Sequence, residues 1–269
     1  MNRVSFLDVL ILNRNLKSVT DRLFDNFIDN RHINIIGVID SGSRDEEVSA
    51  NTVVRDASIE ALLHGLRINR GFNLGINWWR NQPTESSFLL LLPNDTELIE
   101  FDIDGLIRGL EGFRNIAAIL PLSQNSPYTE ILPESRLGLV WSINEGPILL
   151  SRKYVDFQSK CSSLVFDDNN FRGYLTFTEL AIKSYANNFG ILATDLISFR
   201  ENESYLQTKH QLIGTEPLED NARLLLDEGR VWLARKYGLS DGRSFELIAR
   251  LLFEEYLRVH PEEHDKYIK

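Results

Sequence analysis

At 269 residues, 43% of them hydrophobic, the chain is long enough for one large domain, or a domain with an appendage, and apolar enough to bury a full core. A net charge of −10 argues against a nucleic-acid backbone as the main partner; an acidic protein that handles an anionic substrate needs a metal or local basic groups to offset repulsion. The single cysteine, Cys161, excludes an internal disulfide framework and fits a reducing compartment, and no apolar stretch approaches the roughly 20 residues that span a bilayer.

Val4 to Leu12 is β-rich and apolar. Asp8 interrupts the run and no small-residue cleavage site follows, so it reads as a strand and not a leader. Leu16 to Asn30 carries apolar residues at helical spacing, and Ile33 to Ile39 is a second apolar strand. Strand, helix, strand in this order predicts parallel neighbours. Thr52 to Val54 predicts a short third strand, Ile59 to His64 a helical turn, and Leu66 to Ile68 another short strand. A helix is predicted from the Asn69–Asn77 segment to Asn81, with Trp78 and Trp79 as packing residues.

Five large apolar residues, Phe88 to Leu92, predict a strand buried on both faces, and Pro93 stops it. The chain then presents Asp95 and Glu97 at the C-terminal end of that strand. In open α/β sheets that edge is where ligands bind, and carboxylates held there suit a hard divalent cation that carries phosphates. An acidic turn after a core strand is the plain structural alternative.

Asp102 to Gly112 predicts a helix, Ile116 to Pro121 a strand, Ser123 to Arg136 a long surface loop, and Leu137 to Trp141 a strand. Pro147 to Phe157 reads as a short helix with Pro147 in its first turn. Val165 to Tyr174 is loop-like, Phe177 to Asn188 helical, and Ile191 to Ala193 a returning strand after Gly190. Pro217 to Tyr237 and Ser240 to Val259 form two amphipathic helices joined at Gly238, which pack on the core or on a partner.

Four polar segments thus fall at or just after predicted strand ends: Asn13-Arg14, Asp40 to Ser43, Asn69 to Asn77, and Asn94 to Glu97. In order and spacing, over roughly residues 4–122, they resemble the motifs of family-2-type glycosyltransferases of the GT-A fold, with rhamnosyltransferase-like features. The first strand ends in an Asn-containing turn. The second ends in Asp40-Ser41-Gly42-Ser43-Arg44-Asp45, and Asn69 to Asn77 matches an Asn-x-Gly-Phe-x-x-Gly-x-Asn pattern. Pro93 to Glu97 matches the metal-site turn, with Pro93 where the first Asp of a DxD motif would stand.

The resemblance implies a Rossmann-like, mostly parallel sheet flanked by helices, with a C-terminal helical appendage. It divides the chain into a glycosyltransferase domain, 1–214, and a helical extension, 215–269. The domain splits into a nucleotide-sugar half, 1–122, and an acceptor half, 123–214. Asn13, Arg14, Asp40, Ser41, Asn69, Gly71, Asn77, Asn94 and Asp95 would line the nucleotide-sugar site, with Asp40 accepting from the nucleobase. Asp95, Glu97 and His210 would hold Mg²⁺ or Mn²⁺. The position that usually supplies the catalytic base is Phe177, which cannot take a proton. Glu179 is the nearest carboxylate for that role, with Asp167 and Asp168 as alternatives.

The expected activity is inverting transfer from a nucleoside-diphosphate sugar to a glycan or lipid-linked acceptor in polysaccharide or glycoconjugate synthesis. The expected setting is cytoplasmic, at most peripheral at the inner face of a membrane, with the C-terminal helices as an oligomer surface. Phe177 and Pro93 favour the alternative of a catalytically weak nucleotide-binding or assembly module. Nucleotidyltransferase and Rossmann oxidoreductase readings both want glycines after the first strand, and Asn13-Arg14-Asn15-Leu16-Lys17 has none.

Overall fold

The computed structural model describes residues 6–143, 146–161, 164–201 and 218–266. Strand β1 (Leu7–Asn13) is buried along its whole length because parallel neighbours flank it on both sides, β2 (Ile33–Asp40) and β4 (Phe88–Pro93). Beyond β2 lies the short parallel strand β3 (Thr52–Arg55). The sheet continues from β4 through β8 (Ile148–Ser151), β6 (Ile116–Ser123) and β9 (Gly190–Glu201) to β5 (Thr96–Phe101), with β7 (Leu137–Leu139) also paired to β9. Strands β1 to β4, β6 and β9 run one way; β5, β7 and β8 run against them. The sheet is therefore mostly parallel, as expected.

Phe88 to Leu92 on β4 are all buried, each large side chain contributing about 1.5–3 kcal/mol of apolar burial. Helix α1 (Lys17–Asp25) follows β1, and α2 (Ile59–His64) and α3 (Arg67–Arg80) follow β3. Gly71 and Gly75 let α3 lie close on the sheet. A Cβ at Gly71 would stand 2.5 Å from Leu12 Cδ1, and one at Gly75 2.2 Å from Ile39 Cδ1. Asp8, the one charge in β1, accepts from Trp79 Nε1 at 2.6 Å, Thr84 Oγ1 at 2.8 Å and Ser86 Oγ at 2.9 Å, so it ties the end of α3 and the loop before β4 to the central strand. Trp79 is fully buried, as its packing role requires.

Three elements differ from the sequence reading. Leu66 is not in a strand; it precedes α3, and its N–H donates to Ser41 Oγ at 2.6 Å. Pro147 to Phe157 is not one helix. Ile148 to Ser151 form β8 between β4 and β6, and α5 (Arg152–Cys161) starts only after Ser151, whose Oγ accepts from Tyr154 N at 3.1 Å. Thr96 and Glu97, read as the end of an acidic turn, instead begin β5, which runs to Phe101 along the second half of β9.

Helix α4 (Ile103–Leu110) follows β5, and α6 (Thr176–Ala186) precedes β9. The last two helices, α7 (Leu218–Tyr237) and α8 (Gly242–Val259), turn at Gly238 in the left-handed region, φ 69°. They pack on the α/β core. Tyr185 of α6 meets the Phe253 and Tyr256 rings at 5.3 and 5.1 Å, and Trp232, Leu233 and Phe245 close a smaller cluster over Tyr174, Leu175 and Ile182. No helix among the described residues is long and apolar enough to cross a membrane.

Candidate active site

Parallel register sets Asn13, the last residue of β1, directly beside Asp40, the last of β2. Asn13 Nδ2 donates to Asp40 Oδ2 at 3.0 Å and to Glu47 O at 2.9 Å. Its Oδ1 accepts from Thr20 Oγ1 at 2.9 Å and from Asn94 Nδ2 at 3.3 Å. One side chain therefore joins the ends of β1, β2 and β4 to α1. Asp40 is 0% exposed; its Oδ1 accepts from Ser43 N at 3.0 Å and faces Arg55 Nε at 3.4 Å. Arg55 was not singled out from the sequence. Extending the third strand by one residue would have set it opposite Asp40.

Arg14 turns back over the same corner. Its Nη1 donates to Ser41 O at 3.0 Å, to Ala61 O at 2.6 Å and to Gly42 O, and its Nη2 to Leu62 O at 2.8 Å. Burial draws the guanidinium below its ordinary pKa, with Asp40 acting in the opposite sense. Ser41 holds the start of α3 through Leu66 N, and Gly42 (φ 75°) lies against the backbone of Ala61.

Asn69 is buried and faces the chain segment before α6. Its Nδ2 donates to Asp167 O and Asn170 O, each at 3.0 Å, and its Oδ1 accepts from Thr176 Oγ1 at 2.9 Å. The close backbone approach at Gly71 is to Leu12. Asn77 is exposed on α3, on the wall of a cavity of about 240 Å³ shared with Arg70, Asn73 and Asp168; Asn13, Asp40 and Asp95 do not line it. The structure thus gathers Asn13, Arg14, Asp40, Ser41 and Asn94 into one corner and leaves Asn77 outside it.

Asp95 follows Asn94 at the C-terminal end of β4. It is half-buried, burial pushes its carboxyl above the usual range, and no side chain among the described residues pairs with it. Glu97, expected as a second metal ligand, is instead bound by Arg200 across the β5–β9 pair, with Nε at 3.1 Å. The described residues hold no cluster of three metal-ligating side chains. His210 lies outside the described residues.

Glu179 is 1% exposed on α6. Its Oε1 accepts from Lys236 Nζ at 2.6 Å and Tyr237 OH at 2.7 Å, and Lys183 Nζ stands at 3.3 Å. That carboxylate anchors the C-terminal helices, with its Oε1 taken by donors from α7. Asp167 also binds Lys236, at 2.6 Å, and Trp232 Nε1, at 2.9 Å; against the effect of burial, these donors hold its carboxyl down at about 2. Asp168 Oδ1 accepts from Asn73 Nδ2 at 2.7 Å. Phe177 is buried in the core, and Trp141 packs half-buried against it.

Solved structures match this arrangement of sheet and helices over nearly the whole chain. A mannosyltransferase from Pyrobaculum calidifontis, solved with GDP-Man and Mn²⁺, superposes with a TM-score of 0.55 at 10% identity, covering 97% of this chain and 73% of that one. GalNAc-T7, solved with UDP, GalNAc and Mn²⁺, gives 0.58 at 11% identity, covering 96% of this chain and 57% of that one. The fold is GT-A. In GT-A terms, β1, β2 and β4 deliver Asn13, Asp40 and Asp95 to one edge of the sheet. No protein-family model matches the sequence, and no curated protein is a significant match.

Proposed function

We propose that the protein is a glycosyltransferase that moves a sugar from a nucleoside-diphosphate sugar to a hydroxyl of a glycan or lipid-linked acceptor. The observation that carries this reading is Asp95: a half-buried carboxylate with no side-chain partner among the described residues, at the C-terminal end of a central strand, beside the corner built by Asn13, Asp40 and Asn94. A partly buried carboxylate without a counter-charge is relieved by a proton or by a cation, and a divalent cation holds it ionised.

Its donor set fits Mg²⁺ or Mn²⁺ of the kind bound through one carboxylate and substrate phosphates. Asp95 would hold that metal, which when bound would stabilise the leaving diphosphate as a Lewis acid. GT-A proteins solved with nucleotides and Mn²⁺ support the same choice of metal. Asn94, fixed to Asn13 and Thr20 Oγ1 at 3.3 Å each, orients the turn that carries Asp95. In the transfer, the acceptor oxygen forms a bond to the anomeric carbon as the bond from that carbon to the phosphate oxygen breaks. The acceptor proton needs a base. Inversion through Glu179 requires Lys236 and Tyr237 to release it first.

That lock also favours a second reading, a nucleotide-binding or assembly module on the GT-A fold. Donor turnover separates the two. UDP-, GDP-, dTDP- and CDP-sugars are incubated with Mn²⁺ or Mg²⁺ and release of the nucleoside diphosphate is followed. Release that depends on Asp95 supports the transferase; metal-dependent binding without release supports the module.

A further inference from the structure

The corner that would hold the donor nucleoside is covered by the chain itself. Asp40 is fully buried, and α2 lies across the turn that follows it, with Ala61 backbone 2.3 Å from where a Cβ at Gly42 would stand. Only glycine admits this contact, so the seat of α2 is built into the turn. Yet α2 packs poorly. Of its six residues only Ala61 is buried, while Ile59 is 78% exposed and Leu62 and Leu63 are 43% and 48% exposed. A helix this short is not stable by itself. Polar ties hold it: Glu60 pairs with Arg70 of α3, and two further devices act at its ends. Ser58 Oγ caps its start by accepting from Ala61 N at 3.2 Å. The Arg14 guanidinium binds its last carbonyls, Ala61 O and Leu62 O, while also binding Ser41 O and Gly42 O of the turn below.

Given the proposed donor site, on which this rests, we propose that α2 is a lid over the nucleoside subsite, latched shut by Arg14. A guanidinium that bridges two segments through four carbonyls releases both when it swings away. The lid lifts from the Ser41–Gly42 turn with the loss of one buried alanine side chain and of the Glu60–Arg70 ion pair. Gly65 (φ 69°) and Arg67 (φ 58°), at the far end of α2, mark the bend about which it turns.

Opening before binding makes apparent affinity proportional to the open fraction, so weakening the closed state tightens nucleotide binding. Ser58→Ala removes an N-cap outside the nucleotide corner, and such a loss raises a small open fraction about fivefold. The test is a titration of wild type, Ser58→Ala and Arg14→Met with UDP, GDP, dTDP and CDP in Mn²⁺, with amide exchange of residues 59–65 followed in the free and saturated states. The expected result is an apparent Kd about fivefold lower for Ser58→Ala, faster association for Arg14→Met, and loss of protection at Leu62 N and Gly65 N on saturation. Nucleotide binding with an unchanged Kd in Ser58→Ala and undiminished protection of α2 overturns the lid and leaves the donor site standing. No binding by folded wild type or either variant overturns the donor site and the lid together.

Discussion

The carboxylate of Glu179 and the ammonium of Lys236 lie 2.6 Å apart across 57 residues of sequence. The same ammonium reaches Asp167 Oδ2 at 2.6 Å, and the Asp167 carbonyl accepts from Asn69 at 3.0 Å. One lysine on α7 therefore joins the C-terminal helices to α6 and, through a single residue, to helix α3. Burial lowers the Lys236 pKa, but the two carboxylates outweigh it and the net shift is upward.

Lys236→Met leaves Glu179 buried beside Lys183 and Tyr237 alone. Loss of one partner from a buried pair costs roughly 3–5 kcal/mol. Lys236 is 35% exposed and Glu179 keeps two donors, so about 2 kcal/mol is expected here. Urea unfolding measures it, and Lys236→Arg should recover part of the loss. A change below about 0.5 kcal/mol, the range of ordinary surface substitutions, would show that the clamp is not structural.

Asp167 titrates at about 2 in the folded protein against an ordinary 3.8. A depressed carboxylate stabilises the fold fully above its unfolded pKa, and the stabilisation drains away as pH falls through the folded value. The docking of α7 and α8 should therefore weaken between about pH 4 and pH 2. Tryptophan fluorescence from Trp232, whose Nε1 donates to Asp167, reports the release. Asp167→Asn should flatten the acid limb; an unchanged limb would place the acid sensitivity elsewhere.

Asn13→Ala unties three strand ends and leaves the buried Asp40 carboxylate one donor short. A buried acceptor stripped of its partner costs about 1–3 kcal/mol, and the upper end is expected here because Thr20 and Asn94 lose a partner too. Thermal unfolding reads the change, and a shift within error would argue against Asn13 as the hub.

Gly75→Ala sets a methyl 2.2 Å from Ile39 Cδ1 and 2.8 Å from Ile39 Cγ1. Overpacking costs typically about 1–3 kcal/mol, against about 1 kcal/mol gained in helix propensity. Net destabilisation of about 1 kcal/mol is expected in urea melts. Stabilisation instead would mean that α3 stands further off the sheet.

The N-terminal half was legible because its residues repeat a local grammar. Apolar runs such as Leu7 to Leu12 and Phe88 to Leu92 end in polar turns, and parallel register alone then brings Asn13 and Asp40 together. What was not legible depends on distant partners. Ile148 to Leu150 is a short apolar run that suits a helix or a strand, and β4 and β6 decide it. Leu66 to Ile68 looks extended until Ser41, 25 residues earlier, takes the Leu66 amide. Glu179 is the carboxylate nearest Phe177, where the resemblance puts a base, and nothing in the local sequence shows that Lys236 and Tyr237 will close over it.

Asp95 carries the central claim. The direct measurement is calorimetric titration of UDP, GDP, dTDP and CDP, with and without Mn²⁺, into wild type and Asp95→Ala. The account predicts that one nucleotide binds, that binding requires the metal, and that Asp95→Ala weakens it at least about tenfold, a loss of roughly 1.4 kcal/mol, with the fold intact. Failure of all four to bind folded wild type, or metal-independent binding untouched by Asp95→Ala, would contradict it.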